Sequence, residues 1–558
     1  MKLLRLVFRE YRWSIALVLA LSLCSALLSV AVIAFVNQRM LTPAANPGTA
    51  LWQFAGLLVL LLVLASAAQL SLTALGHRFV YRMRRALVKR VLDTAIERLE
   101  AIGGSNIIAS LSSDIRNITL AFVHLPELIY GSVLTLAAFA YLAWLSPGLF
   151  VTTLAWMTFT LAIGWLLVGK LNHHLRLLRE SEDRLYGDYQ SVIDGRKELA
   201  LNRYRAQRLY EDEFDASARA YRDHVTLADR YHGLASNWAN IMVLGTIGLV
   251  FYLANGLGWA STAVASTYAL TILFMRTPLV SAVAAIPSQI AGRVALDKVE
   301  SLALAPHVDA FDHPAETLAA NWHTLELLGV EYRYPAQGDE PGFDVGPISL
   351  QLRKGETVFL VGGNGSGKST FARLLTGLYI PQRGEIRLDG QVLALEDWPA
   401  YRQLFASVFT DYHLFTQLLG PKGLAVADEE LNLWLDSLHI RHKVQAAAGR
   451  LQDTRLSAGQ RKRLALLLAM LEGREILLLD EWAADQDPLF RQVFYRELLP
   501  QLKAAGKTVF AISHDDHYFD QADRLLKMDG GQLSELQGEQ RARASRNALR
   551  EIGGHAHS

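Results

Sequence analysis

Gly362-Gly363-Asn364-Gly365-Ser366-Gly367-Lys368-Ser369-Thr370 fits the pattern G-x-x-x-x-G-K-[ST]. The apolar run Val358 to Val361 precedes it and reads as a strand; Phe371-Ala372-Arg373-Leu374-Leu375 follows and reads as a helix. Strand, Gly-rich turn and helix is the setting in which this pattern cradles phosphate. Glycines let backbone N–H groups crowd a polyphosphate, and the helix N-terminus adds its positive dipole end. In such a loop Lys368 reaches the β- and γ-phosphates and Ser369 holds Mg2+. The loop implies a nucleoside triphosphate and leaves open what the energy is used for.

Downstream, a second apolar strand, Ile476-Leu477-Leu478-Leu479, ends in Asp480-Glu481. The first of these acids can hold Mg2+ through water, and the second can polarise an attacking water. Between the two strands lies Leu456-Ser457-Ala458-Gly459-Gln460, followed by the basic run Arg461, Lys462 and Arg463. A further strand, Thr508 to Ile512, runs into Ser513-His514, which places a histidine to meet a γ-phosphate. Short β-like runs alternate here with helical ones, as in an α/β nucleotide-binding domain.

Upstream the composition changes. The chain has 558 residues, too many for one core, with 51% hydrophobic residues and a mean hydropathy of +0.18. About 20 apolar residues at about 1.5 Å rise cross the hydrocarbon core. Six stretches qualify: Trp13–Val36, Phe54–Leu75, Leu125–Leu145, Leu149–Val168, Leu234–Leu253 and Ala263–Ile286. The segment from Met1 to Trp13 is basic and the apolar run after it is too long for a cleavable signal, so it reads as a first membrane helix. Lys and Arg cluster before the first span and after the second and fourth, at Arg5, Arg9, Arg84, Arg85, Lys170 and Arg176 among others. The other connections are nearly free of positive charge, which places both termini and two long loops (about 76–117 and 169–232) in the cytoplasm. Both loops read as helical extensions of the spans, each with a turn signal near its middle, at Gly103-Gly104 and at Asp194-Gly195.

These observations divide the chain into a transmembrane domain (1–300), a linker (301–322) marked by Pro306, Asp309, Asp312 and Pro314, a nucleotide-binding domain (323–540) and a basic tail (541–558). A formal net charge of +1 gives no general attraction to nucleic acid. The single cysteine, Cys24, excludes an intrachain disulfide and reads as packing inside an apolar helix. Within the spans, Arg276 just before Pro278, His124 and Glu127, and Asn237 and Asn240 are candidates to line a cavity; interhelical hydrogen bonding is the other reading. Pro278 and Pro287 free backbone carbonyls and suggest a kink.

The whole set resembles the ATP-binding cassette family, and six spans followed by one cassette resembles its exporter-type half-transporters. The implied fold class is a membrane α-helical domain of six transmembrane helices plus a cytoplasmic α/β P-loop ATP-binding cassette. The resemblance implies that Tyr334, in Val330-Glu331-Tyr332-Arg333-Tyr334-Pro335, stacks on adenine. It implies that Ser457 and Gly459, with Gln460 beside them, close over the γ-phosphate held by another cassette. It makes Glu481 the general base, His514 the switch histidine, and Asp487 the residue linking two sites. ATP and Mg2+ are the expected cofactors, and one cassette per chain implies a homodimer in the lipid bilayer.

Several departures stand out. Aligned on Leu414-Phe415, Thr410 followed by Asp411 occupies the place of the family's usual Gln, so these two are the candidates to touch Mg2+ alongside Ser369 and Asp480. The signature reads Ser457-Ala458-Gly459, not Ser-Gly-Gly, and Gly449 to Arg455 lacks the usual Gly-Glu pair. The segment between Phe415 and Leu456 is short. These features, with the loop Ile193 to Leu199, resemble the cyclic-peptide and siderophore-peptide exporters of Gram-negative bacteria. That branch implies export of a peptide-like solute, such as a microcin-type lasso peptide or a siderophore precursor, across the bacterial inner membrane. An outer-membrane channel for release is a further expected partner. An importer of a metal–siderophore, a lipid flippase and an ATP sensor that does not pump are the alternatives. Lys368, Asp480, Glu481 and His514 argue against the last.

Overall fold

The computed structural model describes residues 2–40, 47–308, 311, 322–334, 342–447, 449–452 and 455–541. Most of the expected linker and nearly all of the basic tail lie outside the described residues. The helices before residue 302 are, in chain order, α1 (Lys2–Phe35), α2 (Pro47–Asp93), α3 (Ile96–Ile102), α4 (Gly104–Ala109), α5 (Ile115–Leu145), α6 (Pro147–Asp194), α7 (Arg196–Leu201), α8 (Arg203–Arg208), α9 (Asp215–Phe251) and α10 (Thr262–Ser301). By length and composition six helical stretches among the described residues can cross a membrane, and each expected span falls within one of them. The helices run well past the apolar stretches. From Val168, α6 continues to Asp194, roughly 39 Å at about 1.5 Å per residue. The two turn signals break the helices as expected. Gly103, at φ 83°, separates α3 from α4, and Gly195 separates α6 from α7.

The chain forms two compact units, Met1–Lys89 with Gly104–Leu304, and Arg90–Gly103 with Ala305–Ser558. The sequence suggests one domain through residue 300; the structure instead groups the short stretch carrying α3 with the nucleotide-binding half. Hydrogen bonds explain this. The Arg90 Nε donates to the Ala305 carbonyl at 2.8 Å, and the Ala305 N–H donates to Thr94 Oγ1 at 2.8 Å.

In the first unit α5 lies on α10 and α6 on α9. Two glycines set the first contact: a Cβ at Gly131 would stand 2.3 Å from the Pro278 carbonyl oxygen, and one at Gly292 would stand 2.5 Å from Ala121 Cβ. Two indoles set the second. Trp156 Nε1 donates to the Met242 carbonyl at 3.1 Å and Trp238 Nε1 to that of Thr160 at 3.0 Å. The pairs meet in a buried cluster of Leu142, Leu149, Val250, Leu253, Ala265, Tyr268 and Ile272. There the Tyr268 hydroxyl donates to the carbonyls of Leu142 and Ser146 at 2.5 and 2.7 Å. Pro278 and Pro287 both lie inside α10, which runs through them as one helix. Cys24 sits on α1, but on its exposed face, not packed inside. A helix facing lipid tolerates an apolar side chain there as readily as a core does.

The second unit carries β1 (Thr324–Arg333), β2 (Asp344–Arg353), β3 (Thr357–Val361), α11 (Lys368–Leu375), β4 (Arg383–Leu388), β5 (Gln391–Val392), α12 (Trp398–Arg402), β6 (Phe405–Val408) and α13 (Asp428–Ser437). It continues with β7 (Ala446–Ala447), β8 (Arg450–Leu451), α14 (Ala458–Leu471), β9 (Ile476–Asp480), α15 (Pro488–Val493), α16 (Leu499–Ala504), β10 (Thr508–Ile512), β11 (Arg524–Asp529) and β12 (Gln532–Leu536). One sheet has the order β2-β1-β4-β5 and is antiparallel. The other has the order β12-β11-β3-β10-β9-β6, parallel except for its β12 edge. β3, β9 and β10 are buried on both faces, which is why they read as unbroken apolar runs.

Candidate functional site

The order β3-β10-β9-β6 decides the site. In parallel strands all C-terminal ends lie along one edge, where α/β sheets bind ligands. That edge receives, side by side, the loop Gly362–Gly367 after β3, His514 after β10, Asp480 and Glu481 at the end of β9, and Thr410 just after β6. Residues far apart in sequence become neighbours because the strands that carry them pair.

The Gly-rich loop closes tightly. A Cβ at Gly362 would stand 2.3 Å from the Met528 carbonyl oxygen, and Gly365 and Gly367 hold φ of 75° and 103°. The Lys368 Nζ donates to the carbonyls of Gly362 and Gly363 at 2.8 and 2.9 Å. Gly363, Asn364 and Ser369 are exposed on the loop. The Ser366 Oγ is buried without a hydrogen-bond partner, an orphan that a phosphate oxygen would satisfy. Thr370 is buried, and its Oγ1 lies 3.2 Å from the Tyr334 hydroxyl, so Tyr334 stands beside the loop. Its neighbour Tyr332 is a core residue, packed against Tyr334 and Tyr379 with ring centroids 5.1 and 4.8 Å away.

At the acidic end, Thr410 Oγ1 donates to Asp480 Oδ2 at 3.2 Å. Burial pushes the Asp480 carboxyl above the usual carboxylate range, against the pull of the Thr410 hydroxyl. A divalent cation would reverse that, so the buried Asp480 carboxylate with the Thr410 hydroxyl fits Mg2+, and Ser369 is exposed at the start of α11. Asp411, next in the chain to Thr410, is exposed. Glu481 adopts a left-handed backbone, φ 49°, and its Oε1 lies 3.2 Å from His514 Nε2. The buried Lys462 pins this strand end: its Nζ donates to the Glu481 carbonyl at 2.8 Å and pairs with Asp485 at 2.8 Å.

Ser457, Gly459 and Gln460 are placed differently. Ser457 caps α14, accepting from the Gln460 N–H at 3.3 Å, while the Gln460 side chain accepts from the Ser457 N–H at 3.2 Å. Gln460 thus turns its amide back on its own helix. A Cβ at Gly459 would stand 2.8 Å from the Asp485 carbonyl oxygen, and Gln486 Nε2 donates to the Gly459 carbonyl at 3.1 Å. Asp487 caps α15 by accepting from the Phe490 N–H at 2.9 Å and accepts from Arg463 Nη2 at 2.6 Å. That N–H first, then the guanidinium, holds its carboxyl below the usual range. Among the described residues none of the side-chain hydrogen bonds of Ser457, Gln460 or Asp487 reaches Gly362–Thr370 in the same chain.

Sequence reasoning missed a second cluster. The Tyr379 hydroxyl donates to Glu100 Oε2 on α3, Arg373 Nη2 lies 3.5 Å from Glu100 Oε1, and the Ile380 N–H donates to Glu97 Oε1 at 2.8 Å. Burial, then the Glu100 carboxylate, pushes the Tyr379 hydroxyl well above its ordinary pKa. The only sequence signal was two acids beside the Gly103-Gly104 turn. Of the polar groups in the spans, Arg276 donates to Asn240 Oδ1, His124 Nδ1 lies 3.1 Å from Glu127 Oε2, and Asn237 is exposed.

The profile of the ABC transporter family matches residues 345–484. "ATP-binding protein SyrD" of Pseudomonas syringae pv. syringae is 33% identical over 95% of this chain and 95% of its own length. An "ATP-dependent lipid A-core flippase" of Alkalilimnicola ehrlichii is 25% identical over 88% of this chain and 85% of its own. "Leukotoxin translocation ATP-binding protein LktB" of a Pasteurella haemolytica-like species is 28% identical over 41% of this chain and 34% of its own.

Proposed function

This chain belongs to the ABC transporter family, and from that premise we propose that it is half of a homodimeric pump exporting a peptide-like solute across the bacterial inner membrane. It is a multi-pass membrane protein with an ATP-binding domain, an ATP-driven exporter whose hydrolysis is coupled to transport. The observation that carries the dimer is the placement of Ser457 and Gly459. Their partners are the Asp485–Asp487 turn and the α14 cap of their own chain, which leaves their outer side for ATP held by a second copy. A second observation agrees: α3 is docked on its own cassette, whereas Leu201 and Tyr204, at the α7–α8 tip, are 90% and 84% exposed. That tip is offered to the cassette of the second copy.

In this reading Tyr334 stacks on adenine, the Gly362–Thr370 loop holds the phosphates, and Glu481 takes a proton from the attacking water, oriented by His514. Mg2+ bound by Ser369, Asp480 and Thr410 would neutralise charge on the phosphates. Asp487, through Arg463, and Gln486, through the Gly459 carbonyl, tie the signature helix to the turn beside Glu481. Closure of the dimer on ATP moves both together. ATP drives the change only as far as it binds the closed dimer better than the open one. The cytoplasmic placement of both termini rests on the Lys and Arg distribution.

Peptide-like cargo rests on the branch features at Thr410-Asp411 and Ile193–Leu199, and a toxin-translocating relative agrees with it. The flippase relatives favour lipid as the second reading. Inside-out vesicles decide: ATP-dependent accumulation of a peptide is expected, whereas ATP-dependent depletion from preloaded vesicles identifies an importer. Stimulation of ATPase by lipid A alone identifies a flippase.

Two variants test the machinery. Thr410→Val keeps the shape and drops the hydroxyl. A hydrogen bond to a charged group contributes about 1.5 kcal/mol, so Mg2+-dependent phosphate release should fall about tenfold. Unchanged Mg2+ dependence would remove Thr410 from the metal set. Tyr379→Phe should leave the KM for ATP near its natural value while solute-stimulated turnover falls roughly fivefold to tenfold, because it cuts the link to Glu100. Equal stimulation in the variant and natural protein would make that link purely structural.

A further inference from the structure

Arg276 stands at a fork. Toward the 252–261 connection, α9 and α10 share one cluster through Val250, Ala265, Tyr268 and Ile272. On the other side they part. α9 follows α6, through Trp238 to Thr160 and the His174, His224 and Tyr231 rings. α10 follows α5, through Gly131 at Pro278, Gly292 at Ala121, and Gln289 Nε2 donating to the Ala121 carbonyl. The hydrogen bond from Arg276 to Asn240 Oδ1 spans the two helices where they separate.

From this point α10 shows a bare stripe. Leu273, Val280, Val283, Ile290 and Val294 recur at helical spacing with Arg276, and each is 47% to 62% exposed. Met275, Ala282, Ala285 and Gly292 face the other way and are buried. Pro287 lies in the stripe and has no N–H, so the Val283 carbonyl lacks its usual i+4 helix donor. The stripe offers apolar surface, one backbone acceptor and one guanidinium. That guanidinium is always charged, Asn240 is neutral, and among the described residues no carboxylate pairs with it. A cation at membrane depth faces a partner or a water-filled cavity, not hydrocarbon. The missing element is an anion, and the surface beside it asks for an apolar chain.

We propose that this fork receives the carboxylate of an apolar peptide-like solute, a proposal that rests on the exporter reading above. The guanidinium takes the carboxylate through parallel N–H donors. The Asn240 Oδ1 is used by Arg276, which leaves its amide N–H groups for the ligand. The apolar chain lies along Val280, Val283 and Ile290, and the Val283 carbonyl accepts a peptide N–H.

The test uses the full-length protein in lipid nanodiscs and two probes, N-lauroyl-tetraleucine with a free C-terminal carboxylate and its C-terminal amide. The acid should bind at least tenfold more tightly than the amide. Arg276→Gln should abolish the preference, and Arg276→Lys, which keeps the charge, should retain part of it. The preference is a ratio within each variant, so it is independent of yield, and Asn240→Ala supplies a second variant that should narrow it. Equal binding of acid and amide by the natural protein, binding of neither, or an intact preference in Arg276→Gln each overturns the proposal. So does Arg276-dependent binding of lipid A in place of the acid, which assigns the site to a lipid phosphate. Rapid disulfide formation between copies of a Cys24→Ser, Val283→Cys protein also overturns it, because the stripe is then an interface between copies. If the exporter reading alone is wrong, the acid preference persists while vesicles accumulate neither probe.

Discussion

In a Glu481→Gln variant, ATP binding is expected to survive while phosphate release falls by about two to four orders of magnitude, the usual contribution of a positioned general base. The amide keeps the size and leaves the Lys462 contact intact, since that contact is to the Glu481 backbone carbonyl. What is lost is the carboxylate 3.2 Å from His514 Nε2. Nucleotide binding by filter retention and phosphate release should therefore separate. Phosphate release at the natural rate would move the base elsewhere, and Asp480 is a poor substitute because its carboxylate is buried against Thr410. His514→Ala should give a smaller loss, because it removes only the group that orients the base.

Gly131→Val is expected to prevent assembly of the membrane half. The first atom added at this position meets the Pro278 carbonyl 2.3 Å away and Ala282 Cβ 2.7 Å away. The first is backbone and the second is a methyl with no rotamer to escape into. Overpacking a tight contact costs typically about 1–3 kcal/mol, and a backbone collision lies at or beyond the top of that range. Melting temperature in detergent and the yield of folded dimer measure the effect. A variant melting with the natural protein would mean that α5 and α10 do not approach this closely. Gly164→Val provides the contrast: a Cβ there meets nothing within 4 Å, so it should be tolerated.

Features written in local patterns were legible in the sequence. The six spans, the two glycine breaks and the strand-loop-helix at Gly362 each need only neighbouring residues, and the structure has them where expected. The sides of the site were legible because strand ends announce themselves: Asp480-Glu481 and His514 each follow an apolar run. Gln460 was half-legible. The Ser-x-x-Gln spacing from Ser457 is a helix cap, and it brings the Gln460 side-chain oxygen to the Ser457 N–H. Contacts across long sequence distances were not legible. Nothing near Tyr379 announces Glu100, nearly half the chain away, and nothing near Arg463 says it will reach Gln486 and Asp487. Arg276 was visible as an oddity, but its pairing with Asn240 depends on how α9 and α10 fold back on each other.

The grouping of Arg90–Gly103 with the ATPase half bears on how the protein can be taken apart. A soluble fragment starting at Ala305 looks natural from composition. It would uncover the Tyr379 hydroxyl and the Arg373 guanidinium, and leave the Ile380 N–H without Glu97. It would also strip Thr94 and Arg90 from the backbone of Ala305 itself. Such a piece carries a polar wound where the intact chain has a joint. Adding a free peptide covering residues 90–103 should heal it, raising the fragment's melting temperature with a saturable dose response.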